Sequence, residues 1–155
     1  MNDKAAPARI SLARLFAGAT VGALVAQFLL GMYVNLYVNF SPVSGGNQSA
    51  GMMMGRGMMR AMSRAMSGSS TLMLHMMLGW FLVILAFLSL IGAAIERRAG
   101  AVVLAATGLA GIIVAGYGGL QFMTTGHDSY SFVMATGFIV AVGAYFWEAL
   151  ELREV

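Results

Sequence analysis

Apolar residues along this chain gather into four long runs, interrupted only by isolated polar side chains. The runs cover about residues 13–39, 72–95, 101–123 and 130–149. A helix rises about 1.5 Å per residue, so roughly 20 residues cross about 30 Å of hydrocarbon. Each run reaches that length, and Pro7 and Pro42 both fall outside them. Backbone polar groups in lipid must be satisfied within the segment that carries them, which predicts helices. A membrane β-barrel would require segments of about ten residues with alternating hydrophobicity, a pattern the chain lacks. The expected fold class is therefore all-α integral membrane. It is a single domain over residues 1–155, an antiparallel bundle of four transmembrane helices, with a Met- and Arg-rich outer loop over 41–70.

Composition sharpens that expectation. Hydrophobic residues make up 59% of the 155 and charged ones 10%, where a soluble domain carries about 25% charged. An ordinary soluble globule and a disordered chain are both excluded. The net charge of +3 would suggest nucleic acid in a soluble protein, but here the basic residues sit at termini and in loops, as topology signals do. Lys4, Arg9 and Arg14 precede or open the first run, Arg97 and Arg98 separate the second from the third, and Arg153 closes the chain. Six of the nine basic residues thus share one side, which predicts cytoplasmic termini in a prokaryotic plasma membrane. Arg56, Arg60 and Arg64, in the loop, run against that bias. The first run is too long for a signal peptide and is not followed by a clean cleavage site, so it reads as an anchor. The absence of cysteine removes disulfides, thiolate metal sites, iron–sulfur clusters and thiol nucleophiles together. The expected partners are the lipid bilayer and other membrane subunits, with no nucleic acid.

Small residues at helical spacing supply packing faces. Gly18, Gly22 and Ala26 line the first run, and Gly111, Ala115 and Gly119 the third. In the second run His75, Gly79, Leu82, Ala86, Ser89 and Ala93 share a stripe. Such spacing lets helices approach closely where lipid supplies no hydrophobic drive. Polar residues concentrate at the outer ends: Gln27, Asn35 and Asn39 in the first run, Thr71 and His75 in the second, Tyr117 and Gln121 in the third. The inner half offers Ser89, Thr107 and Glu148. Glu148 stands alone near the inner edge, which argues against a proton or ion pathway.

His75 lies in the apolar stretch Leu72-Met73-Leu74-His75-Met76-Met77. A buried neutral imidazole must hydrogen-bond or ligate something. A satisfied packing histidine is the commoner case; the alternative is a cofactor ligand. Partners at the same depth would come from Met134, about one turn into the fourth run, with Gln27, Asn35 and Gln121 lining the outer half. His127 lies beside Asp128 in the outer hairpin, a pairing able to orient a ligating ring, although a solvated turn residue has the same signature.

The loop carries seven methionines between residues 51 and 67, with Arg56, Arg60 and Arg64 at steps of four. One reading is an interfacial amphipathic helix, thioethers toward the acyl boundary and arginines toward headgroups. The other is Cu(I) capture by soft thioethers, with Met52, Met53, Met54, Met58, Met59 and Met62 as ligands. Of the two, the amphipathic reading is favoured.

The outer half of the first run, Gln27-Phe28-Leu29-Leu30-Gly31-Met32-Tyr33-Val34-Asn35-Leu36, followed by His75, resembles one four-helix half of the haem A synthase family. Gln121-Phe122-Met123-Thr124 echoes the same motif. The resemblance covers about a third of the chain. It implies haem b held by histidines on the second and fourth helices: His75 matches the first, and Met134 stands near the second position. The family's cysteine pair, its second four-helix half and the arginine after the first histidine (Met76 here) are missing, so its catalytic activity does not carry over. No phosphate-binding loop, nucleophile triad or metalloprotease motif is present either. The sequence reads as a non-catalytic protein, an accessory subunit of an electron-transfer or copper-dependent membrane complex. The alternatives are a haem b protein using His75 and a Cu(I)-binding protein using the loop.

Overall fold

A computed structural model describes residues 11–37 and 70–152 of the chain. Those residues form four helices: α1 (Leu12–Tyr37), α2 (Ser70–Ile95), α3 (Ala99–Thr125) and α4 (Asp128–Glu151). All four are long and apolar enough to cross a membrane, and they suggest an integral membrane protein in contact with lipid. The two described connections are shorter than the hydropathy runs imply. Helical backbone continues to the last residue whose hydrogen bonds can be met, past the point where apolar character ends. The segment 38–69 contains Asn39, Arg56, Arg60, Arg64 and the methionines Met52, Met53, Met54, Met58, Met59 and Met62, all outside the described residues.

The turns have local physical causes. At the end of α2 the Arg98 N–H donates to Ala93 O and the Arg97 N–H to Ala94 O. These crossed bonds form a Schellman cap. The cap places Arg97 at φ 55°, a left-handed conformation more often given to glycine. At the end of α3 that conformation falls to Gly126 (φ 70°), whose N–H donates to Phe122 O. Asp128 then opens α4, where a negative charge suits the exposed N–H groups of a helix start.

Each helix packs on its two neighbours in the cyclic order α1–α2–α3–α4, closing back to α1. Leu12, Ile95, Ala99 and Glu151 share one end, the terminal end; Tyr37, Ser70, Thr125 and Asp128 share the other, the hairpin end. The central core joins Leu24, Leu82, Ala86, Leu109, Ile112, Ala141 and Tyr145, one or more from every helix. A smaller cluster of Ala13, Ala93, Ala101 and Leu152 closes the terminal end. Val34 and Leu72, with Met76 and Met123 against them, close the hairpin end. Large apolar side chains such as Trp80, Phe81, Ile84, Ile139 and Trp147 point outward, as expected where the surrounding solvent is hydrocarbon.

The α3–α4 seam is the tightest. A Cβ at Gly137 would come within 2.6 Å of Ala115 N and 2.7 Å of Gly111 O, and one at Gly118 within 2.6 Å of Met134 N. Backbone therefore meets backbone, as the Gly111–Ala115–Gly119 spacing leads one to expect. The second-run stripe also faces inward, with Leu82, Ala86, Ser89 and Ala93 all buried. The first-run spacing behaves differently. Gly18, Gly22 and Ala26 are exposed, and a Cβ at Gly18 or Gly22 would meet nothing within 4 Å. The buried face of α1 is instead Ala13, Ala17, Thr20, Leu24 and Val34. Alanine and threonine at these positions already permit close approach, so the bundle does not consume the glycines.

Candidate functional site

At the hairpin half of the bundle, α1 and α2 bring Gln27 and His75 together. The Gln27 Nε2 and His75 Nε2 atoms lie 3.2 Å apart. With the amide nitrogen donating, Nε2 accepts, and the neutral imidazole carries its proton on Nδ1. The Nδ1 atom and the Gln27 Oε1 atom are both buried without a hydrogen-bond partner. Rotating the amide by half a turn exchanges the roles, since Oε1 then accepts from Nε2–H and frees the Nδ1 lone pair. Either way the pair keeps one unused polar atom on each side chain. Such atoms are costly in an apolar layer.

Two glycines make room for this pair. A Cβ at Gly31 would sit 3.1 Å from Cε1 of His75, and one at Gly79 would sit 3.5 Å from Nε2 of Gln27. The spacing Gln27–Gly31 is one helical turn on α1, as is His75–Gly79 on α2. Each polar side chain therefore lies against the glycine of the opposite helix, in a reciprocal arrangement.

The other expected site residues fall elsewhere. Met134 packs on α3: its sulfur lies 3.3 Å from a Cβ built at Gly119, and its backbone lies against Gly118. His75 packs on α1, so the two side chains serve different seams. Asn35 is exposed, and Gln121 is half-buried near the end of α3, where its carbonyl accepts from the Thr124 and Thr125 hydroxyls. His127 is exposed at the residue preceding α4; its N–H donates to Thr125 Oγ1, and its carbonyl accepts from Tyr130 N–H. Among the described residues no group of three or more His, Cys, Asp or Glu side chains is placed to hold a metal ion.

A second polar centre lies toward the terminal end, and it corrects the sequence expectation for Glu148. That residue is fully buried, and the Ser89 hydroxyl donates to its Oε1 atom over 2.9 Å. The bond joins α2 to α4, helices opposite each other in the ring, so it runs through the middle of the bundle. Tyr145, also fully buried, donates its hydroxyl to Ala105 O over 3.2 Å. Thr20 donates back to Phe16 O within α1. A signal for Glu148 exists in the sequence: Gly137, Ala141, Ala144 and Glu148 follow one another at steps of three and four, and all are buried. Its place at the inner edge of the apolar run masked it.

No family model, curated protein or solved structure matches the chain.

Proposed function

We propose that this chain is a non-catalytic integral membrane protein that works as an accessory subunit of a larger membrane complex, of the electron-transfer or copper-dependent kind. One observation supports this reading above the others. The α1 face carrying Gly18, Gly22 and Ala26 is built for close helix contact, and none of the four described helices occupies it. The comparable face of α3 is fully used by α4. A free small-residue face is suited to a transmembrane helix of another subunit. The electron-transfer assignment draws on His75 and on the methionine-rich segment of the sequence.

The test is affinity purification of the full-length chain from its native membrane under mild detergent. The wild type is expected to carry stoichiometric membrane partners, and Gly18→Leu combined with Gly22→Leu to lose them while retaining helical content. Recovery of the wild type alone, in the same detergent that preserves neighbouring complexes, overturns the reading.

A second reading, haem b held by His75, is favoured by the unpartnered ring nitrogen and by Gln27, which fixes the imidazole as an outer-shell partner does. It requires a Soret absorption in protein made in a haem-sufficient host, and loss of that absorption in His75→Ala. Colourless wild-type protein from such a host refutes it.

A further inference from the structure

Glu148 belongs to neither of these readings. Its carboxyl is fully buried, Oε1 accepts from Ser89, and Oε2 has no partner among the described residues. Among the described residues, the donors toward this end are otherwise engaged. The Tyr145 hydroxyl serves Ala105 O, and the Thr20 hydroxyl serves Phe16 O. Arg98 donates from Nη1 to the backbone carbonyl of Glu151 over 3.2 Å. The Ser11 hydroxyl and the Ala13 N–H both donate to Glu96 Oε1.

Among the described residues, the charges surrounding Glu148 do not compensate it. From α2 and its C-terminal turn the facing acidic group is Glu96, and from α4 itself Glu151; both act on Glu148 as like charges. Tyr145 is the other titratable neighbour on α4. From α1 the basic group at this end is Arg14, half-exposed in the first turn. Arg97 is exposed and Arg98 is held at Glu151. From α3 the residues at this level are Ala101 and Ala105, which carry no charge. An isolated ionised carboxylate in such surroundings is far costlier than a neutral acid.

We propose that Glu148 is a proton-binding site inside the bundle, carrying its proton on Oε2 while Oε1 accepts from Ser89. Loading forms one O–H bond at Oε2 and cancels one negative charge, the proton coming from water at the terminal end; unloading reverses both. A proton fits the site better than a metal ion does. A hard cation requires several oxygen ligands, whereas here one unpartnered carboxylate oxygen is available and the Ser89 hydrogen already points at the other. The absence of a metal-holding group of side chains among the described residues agrees. The site also lies about four helical turns from the Gln27–His75 pair, the separation of Ser89 from His75 along α2, so it is a separate centre.

Infrared spectroscopy of the full-length chain in detergent or lipid nanodiscs tests this directly. At about pH 6, where a water-exposed glutamate (about 4.3) is ionised, the wild type is expected to show a carboxylic-acid carbonyl band that shifts in heavy water. Glu148→Gln should lose that band, and Ser89→Ala should shift it by removing the hydrogen bond to Oε1. Gln keeps the shape of the neutral acid, so the variant should fold; if it does not, the Ser89→Ala shift reads the same group. No band in the wild type, a band unchanged in both variants, or a band abolished by saturating Na⁺ or Mg²⁺ at constant pH overturns the proposal. The partner-capture experiment on Gly18 and Gly22 is independent of this outcome.

Discussion

Two helices of this bundle carry small residues at the same four-residue spacing, and the fold treats them oppositely. On α3, Gly111 and Gly118 meet the backbone of α4 at Gly137, Ala141 and Met134, so that no side-chain atom would fit between. On α1, Gly18 and Gly22 face outward with open space above them. A spacing motif therefore states that close approach is possible; whether it is used depends on which helix stands opposite. On α3 it secures the fold, and on α1 no described residue uses it.

The largest expected effect lies on the α3–α4 seam. Gly137→Val should destabilise the bundle by about 3 kcal/mol or prevent its assembly, because the clash is with backbone and cannot be relieved by rotating a side chain. Reversible unfolding in mixed micelles checks this, and a variant as stable as the wild type would show that the seam is looser than described. An intermediate effect belongs to the α1–α2 seam. Gln27→Leu removes a polar contact between the helices and leaves His75 with both ring nitrogens unpaired, a loss of about 1 kcal/mol by the same assay. The smallest effect is on the free face of α1. Gly18→Leu with Gly22→Leu should change unfolding by less than about 0.5 kcal/mol, although it should abolish partner capture. A loss as large as that for Gly137→Val would mean that the face is used within the bundle, and the contrast would fail.

The two polar centres extend the lesson. Gln27 and His75 are neutral and leave a nitrogen and an oxygen unused, which suits recognition or ligation. Ser89 and Glu148 centre on one ionisable group that has no compensating charge among the described residues, which suits storage of a proton. His75 was legible in the sequence, since a lone imidazole amid leucines and methionines stands out. Its contact with Gln27 was half legible: both belong to the polar end, but the seam they share depends on the order of helices around the ring. Met134 illustrates the limit. Its depth was readable by counting turns, while its direction, toward Gly118 and Gly119 of α3, was not. Glu148 was read as a lone carboxylate at the inner edge of the fourth run, whereas the rotation of α4 turns that carboxyl into the core.

What the amino-acid sequence determined by itself is the number of helices, their approximate extents and their alternating direction. These follow from local quantities: the length of each apolar run and the demand that backbone hydrogen bonds close within it. Tertiary structure alone decided which face of each helix is inside. In a soluble helix the polar side announces the surface, but here the outward side chains, Trp80, Phe81, Ile84 and Ile139 among them, are as apolar as the core, so hydropathy hardly differs around the circumference. Orientation then rests on steric fit between particular neighbours, Gly137 against Gly111 or Gly31 against His75, and such fit exists only once the helices are assembled.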